Sequence, residues 1–430
     1  MKKLTLLMAC CIAMTLNSAY SQLSNEKKYD FLKNYKAPDF KQKRFDLTFN
    51  LGGGNHSLSS DAVGRIAETS FFSYSQYANS QEYQGNFRAI LNSRVYWDKS
   101  DDEELLTTTN SLGFTTINRF YFKPNWFVGV YGGVQAGHLH RSETGVGKTN
   151  ALGFIVSPSL AIGNGRLEPI QYARNAMDIE KQLNRGNRLV QPYTMGELNK
   201  IAKQLAVINN VRFYDFRLRR IEQFEAIDAT LREIGGINEF DIAYFAHLAD
   251  AYLYAQNFQR FSGFRNEIGM ASLLNNSQLL GETKEVNNNL SGNVYYNLSY
   301  NLPQSYAIQH TLFTSLIAGF SVIDATGIEP IVEENAWLSL GYEFGLYPTT
   351  RTNLNLGVKA GVNPVESNFG IALYANGSIY LSPQFRLAFE ANFSPESDYS
   401  EPYNIHIPSL NMRAYDYVIG GNISLRYAIF

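Results

Sequence analysis

The chain has 430 residues, 45% of them hydrophobic, 14% aromatic and 18% charged, with 37 basic side chains against 39 acidic ones. A formal charge of −2 offers no basic field, which excludes nucleic acid as a partner class. No apolar run of about eighteen residues occurs beyond the N-terminal segment, so helices that cross a membrane are excluded there; what remains is a large exported β-rich protein or a chain that crosses a bilayer as strands.

Residues 1–21 read as a cleaved signal peptide, with Lys2 and Lys3 ahead of an apolar stretch over 4–16 and a small-x-small site at Ala19-Tyr20-Ser21. Leu7-Met8-Ala9-Cys10 spells a lipobox, but cleavage there leaves too short an apolar core. Cys10 and Cys11 both fall inside the signal, so the mature chain is expected to hold no disulfide, thiol nucleophile or cysteine metal site. Residues 22–43 follow as a short, polar, lysine-rich periplasmic leader.

From residue 44 onward strict alternation dominates, the pattern of strands with one apolar and one polar face. Phe45, Leu47, Phe49 and Leu51 alternate with Asp46, Thr48 and Asn50; Phe385, Leu387, Phe389, Ala391 and Phe393 alternate with Arg386, Glu390 and Asn392. Such runs exceed the five or six residues typical of soluble strands and suit a tilted membrane crossing. The last one is the most informative. Tyr415, Tyr417, Ile419, Gly421, Ile423, Leu425 and Tyr427 form one row, aromatic at both ends and aliphatic between, while Asp416, Asn422, Ser424 and Arg426 form the other.

Here the chain resembles the outer-membrane β-barrel proteins of Gram-negative bacteria, over roughly three quarters of its length. The resemblance implies that Tyr427 and the terminal Phe430 carry the signal read by the barrel-assembly machinery. It places the protein in the outer membrane, with the lipid bilayer as its surroundings. The expected fold is an all-β transmembrane barrel of about 14 antiparallel strands, with six over 44–163 and eight over 259–430. Loop parity supports the count: Lys123-Pro124-Asn125, Pro303-Gln304-Ser305 and Thr349-Thr350-Arg351 make short periplasmic turns, while 282–286, 324–335 and 394–409 make longer outer loops.

Residues 164–258 change period. Apolar residues recur at helical spacing through Ile170, Ala173 and Met177, then Leu198, Ile201 and Leu205, then Ile221, Phe224 and Leu231, with a capping box at Thr194 and Glu197 and a stop at Gly235-Gly236. Between strands 6 and 7, parity puts this α-helical insert in the periplasm. Its 12 basic and 12 acidic residues balance, so Arg217, Arg219 and Arg220 read as a solvated or paired helix face. Tyr244, Phe245, Tyr252, Tyr254 and Phe258 read as core, with a partner surface as the alternative.

Gly145-Val146-Gly147-Lys148-Thr149 lacks the first glycine of a phosphate loop, with Ser142 in its place, and joins two strands. His138 and His140 supply two metal ligands without a third. No histidine sits in a hydrolase pattern, so catalytic residues, metal and cofactor are all expected to be none. Inward rows offer Asp46, Arg88, Arg94, Arg265, Glu267, Glu343, Lys359, Arg386, Glu390, Asp416 and Arg426 as candidates to line a lumen, either wetting it or closing it by ion pairs. Three readings follow. The first is a porin-like channel or transporter for small solutes, with the insert as gate or docking platform. The second is a non-conducting scaffold or subunit of an envelope assembly or secretion complex, whose insert recruits a periplasmic or envelope protein. The third is a hydrophobic-compound transporter, disfavoured because the leader is too short for a folded plug.

Overall fold

The computed structural model describes residues 26–56, 63–99, 104–145, 147–210, 216–254, 260–280, 284–365, 367–382, 385–394 and 418–427. A short helix α1 (Glu26–Asn34) leads into six strands, β1 (Phe40–His56), β2 (Val63–Asn79), β3 (Tyr83–Lys99), β4 (Glu104–Tyr121), β5 (Trp126–Glu143) and β6 (Gly147–Pro169). Four helices follow: α2 (Gln171–Arg185), α3 (Met195–Asn210), α4 (Phe216–Ile234) and α5 (Ile242–Tyr254). The chain then returns to strand in β7 (Phe261–Leu280), β8 (Lys284–Pro303), β9 (Ile308–Ala325), β10 (Ile331–Leu346), β11 (Thr352–Asn363), β12 (Asn368–Tyr380), β13 (Phe385–Ser394) and β14 (Val418–Tyr427). All fourteen strands lie in one sheet in chain order, each antiparallel to the next, with the helices inserted between β6 and β7.

The burial of the two strand faces is the reverse of a soluble protein's. On β5 to β8 the row that includes Val128, Leu160, Ile162, Ile268, Met270 and Val294 is exposed, at 41 to 65%. The opposite row buries Tyr131, Ser159, Glu267 and Tyr295, and further round the sheet Ser315, Ser339, Lys359 and Ser378. We call this second row inner. Its aromatic rings fit because glycines lie beneath them: a Cβ at Gly163, Gly341 or Gly357 would meet the ring of Phe127, Phe313 or Tyr374 at 2.0–2.3 Å. Aromatics therefore occupy both faces, whereas the alternation pattern assigns them to the outer rows.

The sheet curls. Phe40, which opens β1, meets the ring of Tyr172 at 5.6 Å, while Arg174 two residues along α2 donates to the Thr349 carbonyl, just past β10, at 2.8 Å. In a flat sheet strands nine apart stand about 43 Å from one another. Here one helix, about 10–12 Å wide, touches both, so the sheet curves to bring these strand ends together. Among the described residues no pairing joins β14 to β1, so the order is that of an open meander rather than the closed ring expected from the sequence. β14 has 10 residues against 17 in β1, and residues 395–417 before it lie outside the described residues.

Two further expectations change. Segments 282–286 and 324–335 were expected as long outer loops; strand pairing instead runs on through Lys284 and Ala325, leaving 281–283 and 326–330 as connections. Ladder hydrogen bonds continue there although the apolar alternation has stopped. The leader is also not loose. Phe31, Leu32 and Tyr35 are buried in the same core as the insert, and β1 begins at Phe40; lysines on its other positions mask this apolar set.

β6 runs to Pro169 because it pairs with β7 as far as Phe261, and this extension is bent by two glycines. Gly165 has φ +92° and Gly263 φ +116°, both in the left-handed region. A Cβ at either would lie 2.3 Å from a backbone oxygen of the other strand, Phe264 O or Arg166 O. Gly165→Ala and Gly263→Ala are each expected to destabilise the fold by about 1–3 kcal/mol, measured as a lower urea midpoint. Gly145→Ala is the control for backbone strain alone, since its φ is +80° with nothing within 4 Å.

Candidate functional site: a helical insert packed against the sheet turns

The insert is a compact unit. The sequence-predicted capping box forms, with Thr194 N donating to Glu197 Oε2 (2.6 Å) and Glu197 N to Thr194 Oγ1 (3.3 Å) at the start of α3. Asp241 accepts the Tyr244 amide at the start of α5 and holds Arg188 in a two-pronged pair at 3.0 and 2.6 Å. The Arg188 hydrogen bond and the Tyr244 amide pull its pKa down to about 2. Ile179, Leu183, Leu198, Ile201, Leu205 and Leu231 close the core. Of the aromatic run, Tyr244 and Tyr252 are core, Phe245 is 43% exposed, and Phe258 lies outside the described residues.

α2 differs from the other helices in burying polar as well as apolar faces. Arg174, Asn175, Asp178 and Glu180 are as covered as Ala173, Ala176 and Ile179. One face meets α3 and α5, and the other meets the ends of the strands. Arg260, fully buried just before β7, donates Nε to Gln309 Oε1 (2.8 Å) and its Nη atoms to the carbonyls of Ser305, Tyr306 and Ile308, which form the β8–β9 turn. Its guanidinium also lies 4.7 Å from the Tyr347 ring centroid. Arg174 donates to Thr349 O and sits 5.3 Å from the rings of both Tyr306 and Tyr347. Tyr306 donates its hydroxyl to Asp178, and Arg351 pairs with Asp250 of α5.

On the opposite side Arg166 grips the β2–β3 turn. It donates to Gln81 O (3.0 Å), Ser80 O (2.6 Å) and Asn79 Oδ1 (2.9 Å), pairs with Glu168 at 2.9 Å, and lies 4.8 Å from the Tyr121 ring centroid. Gln84 Nε2 adds a bond to Leu167 O at 3.0 Å. Three turns at one end of the sheet are thus held by arginines that donate to backbone carbonyls, one from α2 (Arg174) and two from the strand segments on either side of the insert (Arg166 at the end of β6, Arg260 just before β7). Guanidinium suits this: its five donors spread in a plane, and a buried turn leaves several carbonyls needing them.

The sequence-predicted lumen residues are not drawn into one cluster. Arg265 and Glu267 fall on the inner row of β7, where Glu267 accepts the Tyr131 hydroxyl at 2.6 Å and faces Arg119 at 3.5 Å. Glu343 accepts the Tyr374 hydroxyl at 3.1 Å, and Lys359, 2% exposed, is one inner position from it across β10 and β11. Arg88 and Arg94 lie exposed on the inner row of β3. Arg386 sits 5.5 Å from the Tyr380 ring centroid, and Glu390 accepts from Asn392. Registers place Asp46 opposite Ser73 and Arg426 opposite Arg386, with Tyr427 opposite Phe385. Asp416 and Phe430 lie outside the described residues. The alternation pattern left out Arg119, Tyr131 and Tyr295; strand parity alone puts them on the inner row. Arg166, Arg174, Asp178 and Arg260 left little trace, since an Arg174/Asp178 pair at i,i+4 has the look of a solvated helix face.

Burial pushes the Asp178 pKa up to about 7, outweighing the pull of Arg174, Lys181 and Arg260, with Asp250 adding to the rise; its Oδ2 accepts no hydrogen bond. A carboxyl whose pKa is raised on docking favours docking when protonated, so the latch is strongest at low pH and weakens as pH rises from about 4 to about 7. Asp178→Asn is expected to flatten that dependence, followed by amide exchange of α2 between pH 5 and pH 8. Arg260→Ala is expected to loosen the insert by about 3–5 kcal/mol, read as faster α2 exchange at every pH.

No family model and no curated protein sequence matches the chain. Among solved structures, the transport unit of the autotransporter AIDA-I from Escherichia coli aligns at 9% identity and a TM-score of 0.30, over 80% of this chain and 89% of that one. The CymD monoaromatic hydrocarbon channel aligns at 7% identity and 0.30, over 86% of each chain. OccK11 (OpdR) of Pseudomonas aeruginosa aligns at 7% identity and 0.25, over 91% of this chain and 97% of that one.

Proposed function

We propose that the protein is an integral outer-membrane β-barrel that admits small solutes, porin-like, and that its helical insert stops the periplasmic mouth until the turn latches release. The reversed strand faces carry this reading. A continuous apolar row exposed across β5 to β8 is far larger than the patches soluble proteins tolerate, and it suits the hydrocarbon of a bilayer. In that setting the exposed edges of β1 and β14 have no water to satisfy them, so the strands close into a ring. No described helix is long and apolar enough to cross a membrane.

The buried α2 supports a gated pathway over an open one, because the helix covers turns at one end of the strands. Reconstituted into planar bilayers, the wild-type protein is expected to show rare, small openings, and the double variant Arg174→Ala/Arg260→Ala long-lived larger ones. No channel events from either protein, with strand content intact by circular dichroism, would falsify the channel reading.

One observation favours the scaffold reading instead. A groove of about 700 Å³ between α4 and α5 is lined by Ile221, Phe224, Phe245 and Ala249 with Arg220, Glu225 and Asp228 at its rim. An envelope protein seated there would use the insert as its dock.

A further inference from the structure

Arg88 and Arg94 stand on the inner row of β3, both exposed, and among the described residues neither makes a hydrogen bond, an ion pair or a ring contact. Other bases on the same wall are engaged: Arg119 faces Glu267 at 3.5 Å, and Arg141 holds Glu143 at 2.7 Å. The register gives each free arginine a hydroxyl on either side. Arg94 lies between Thr69 of β2 and Thr109 of β4, and Arg88 between Ser75 and Thr115.

The surrounding wall offers these arginines no counter-charge. Over residues 65–79 of β2, 84–96 of β3, 105–121 of β4, 127–141 of β5 and 149–163 of β6, no inner position is Asp or Glu. By register the nearest inner carboxylates are Asp46, two strands from β3, and Asp98, which accepts the Tyr96 hydroxyl at 2.9 Å. At strand spacings both stand about 12 Å off, beyond the roughly 8 Å over which exposed charges are felt at physiological salt. The space in front of the wall is also unfilled. Level with the stretch between the two arginines, a Cβ on Gly113, Gly137 or Gly153 would meet nothing nearer than 3.7 Å.

A guanidinium offers paired N–H donors in one plane, which match the two oxygens of a carboxylate or phosphate, and a neighbouring hydroxyl can turn its proton toward the same anion. Six residues separate Arg88 from Arg94, about 20 Å, so the two act as successive stations and not as one tight site. Weak stations in series suit transit, since an ion must leave each as readily as it enters.

We propose that the β2–β4 wall is an anion track, on which Arg94 and Arg88 with their flanking hydroxyls draw small oxoanions such as phosphate along the inner face in preference to cations. The inference deepens the proposed solute pathway and rests on it for its biological meaning, while binding at the arginines needs no conduction.

Two measurements test it. With the full-length protein in a maltoside detergent, the phosphorus NMR line of inorganic phosphate is expected to broaden saturably. Arg88→Gln/Arg94→Gln is expected to remove the broadening with strand content unchanged, and Arg141→Gln, whose guanidinium is already paired, to retain it. In planar bilayers under a KCl gradient, the Arg174→Ala/Arg260→Ala variant is expected to pass chloride over potassium about fivefold, falling to about one when Arg88→Gln/Arg94→Gln is added. If that variant conducts without preferring chloride, or keeps its preference after Arg88→Gln/Arg94→Gln, the track is wrong and the pathway stands. If phosphate broadening depends on Arg88 and Arg94 while no variant conducts, the anion site stands and the pathway is wrong. Broadening that survives Arg88→Gln/Arg94→Gln, or that Arg141→Gln removes equally, overturns the placement.

Discussion

Every backbone polar group in the strands must find its partner in the neighbouring strand, and much of the rest of this molecule follows from that requirement. The outer row is apolar, so its side chains neither accept nor donate. Polar side chains then have only the inner face to occupy. The inner residues are crowded, and glycines beneath Phe127, Phe313 and Tyr374 make the room for rings that a row of larger residues would exclude.

The same requirement returns where the helices meet the sheet. A turn at the end of a strand normally gives its spare carbonyls to water, and covering it with a helix takes that water away. Arg166, Arg174 and Arg260 supply donors there, Arg174 to the Thr349 carbonyl and the other two to carbonyls, Ser80 O and Ile308 O, that each also accept one backbone N–H of their own turn. The arrangement is specific but not self-evidently strong, because burying a guanidinium costs several kcal/mol before its bonds return anything. Arg260 has its pKa lowered to about 9 by burial and by neighbouring Arg174, a sign of that cost, while remaining charged at neutral pH. A contact made of offsetting large terms is one that a modest change can release, which is what a stopper requires.

Alternation made the sheet legible. Period two is imposed by the pleat itself, so Phe45 to Leu51 or Phe385 to Phe393 announce strand and face together, and the helical spacing of Leu198, Ile201 and Leu205 announces the insert. Capping at Thr194 and Glu197 was legible for the same reason, being local. What alternation could not carry was anything set by tertiary contact. The leader read as polar because its lysines outnumber Phe31, Leu32 and Tyr35, the residues that count once a core lies beside them. Strand ends were missed by several residues at β6 and β10, since pairing persists where apolar patterning has ceased. Charged inner residues were legible as a set, but their partners were not: Glu267 meets Arg119 from β4 and Tyr131 from β5, and no spacing within β7 encodes either.

The distribution of charge around the inner face ties these levels together. Arg119 and Glu267 sit among β4, β5 and β7, beside the strands that lead into the insert, and Glu343 and Lys359 sit on β10 and β11, whose turn Arg174 holds. Between them the inner rows of β8 and β9 carry no charge from Asn287 to Asn301 and from Gln309 to Ser321, presenting amides, hydroxyls and rings with Ile317 and Gly319 among them. Paired charges fix neighbouring strands against one another and are costly to separate. Neutral groups can exchange one partner for another, including water or a solute, at little cost. The wall is thus ionic on the strands flanking the insert and on β10 and β11, and neutral between them, and the neutral stretch runs out at the turn that Arg260 binds.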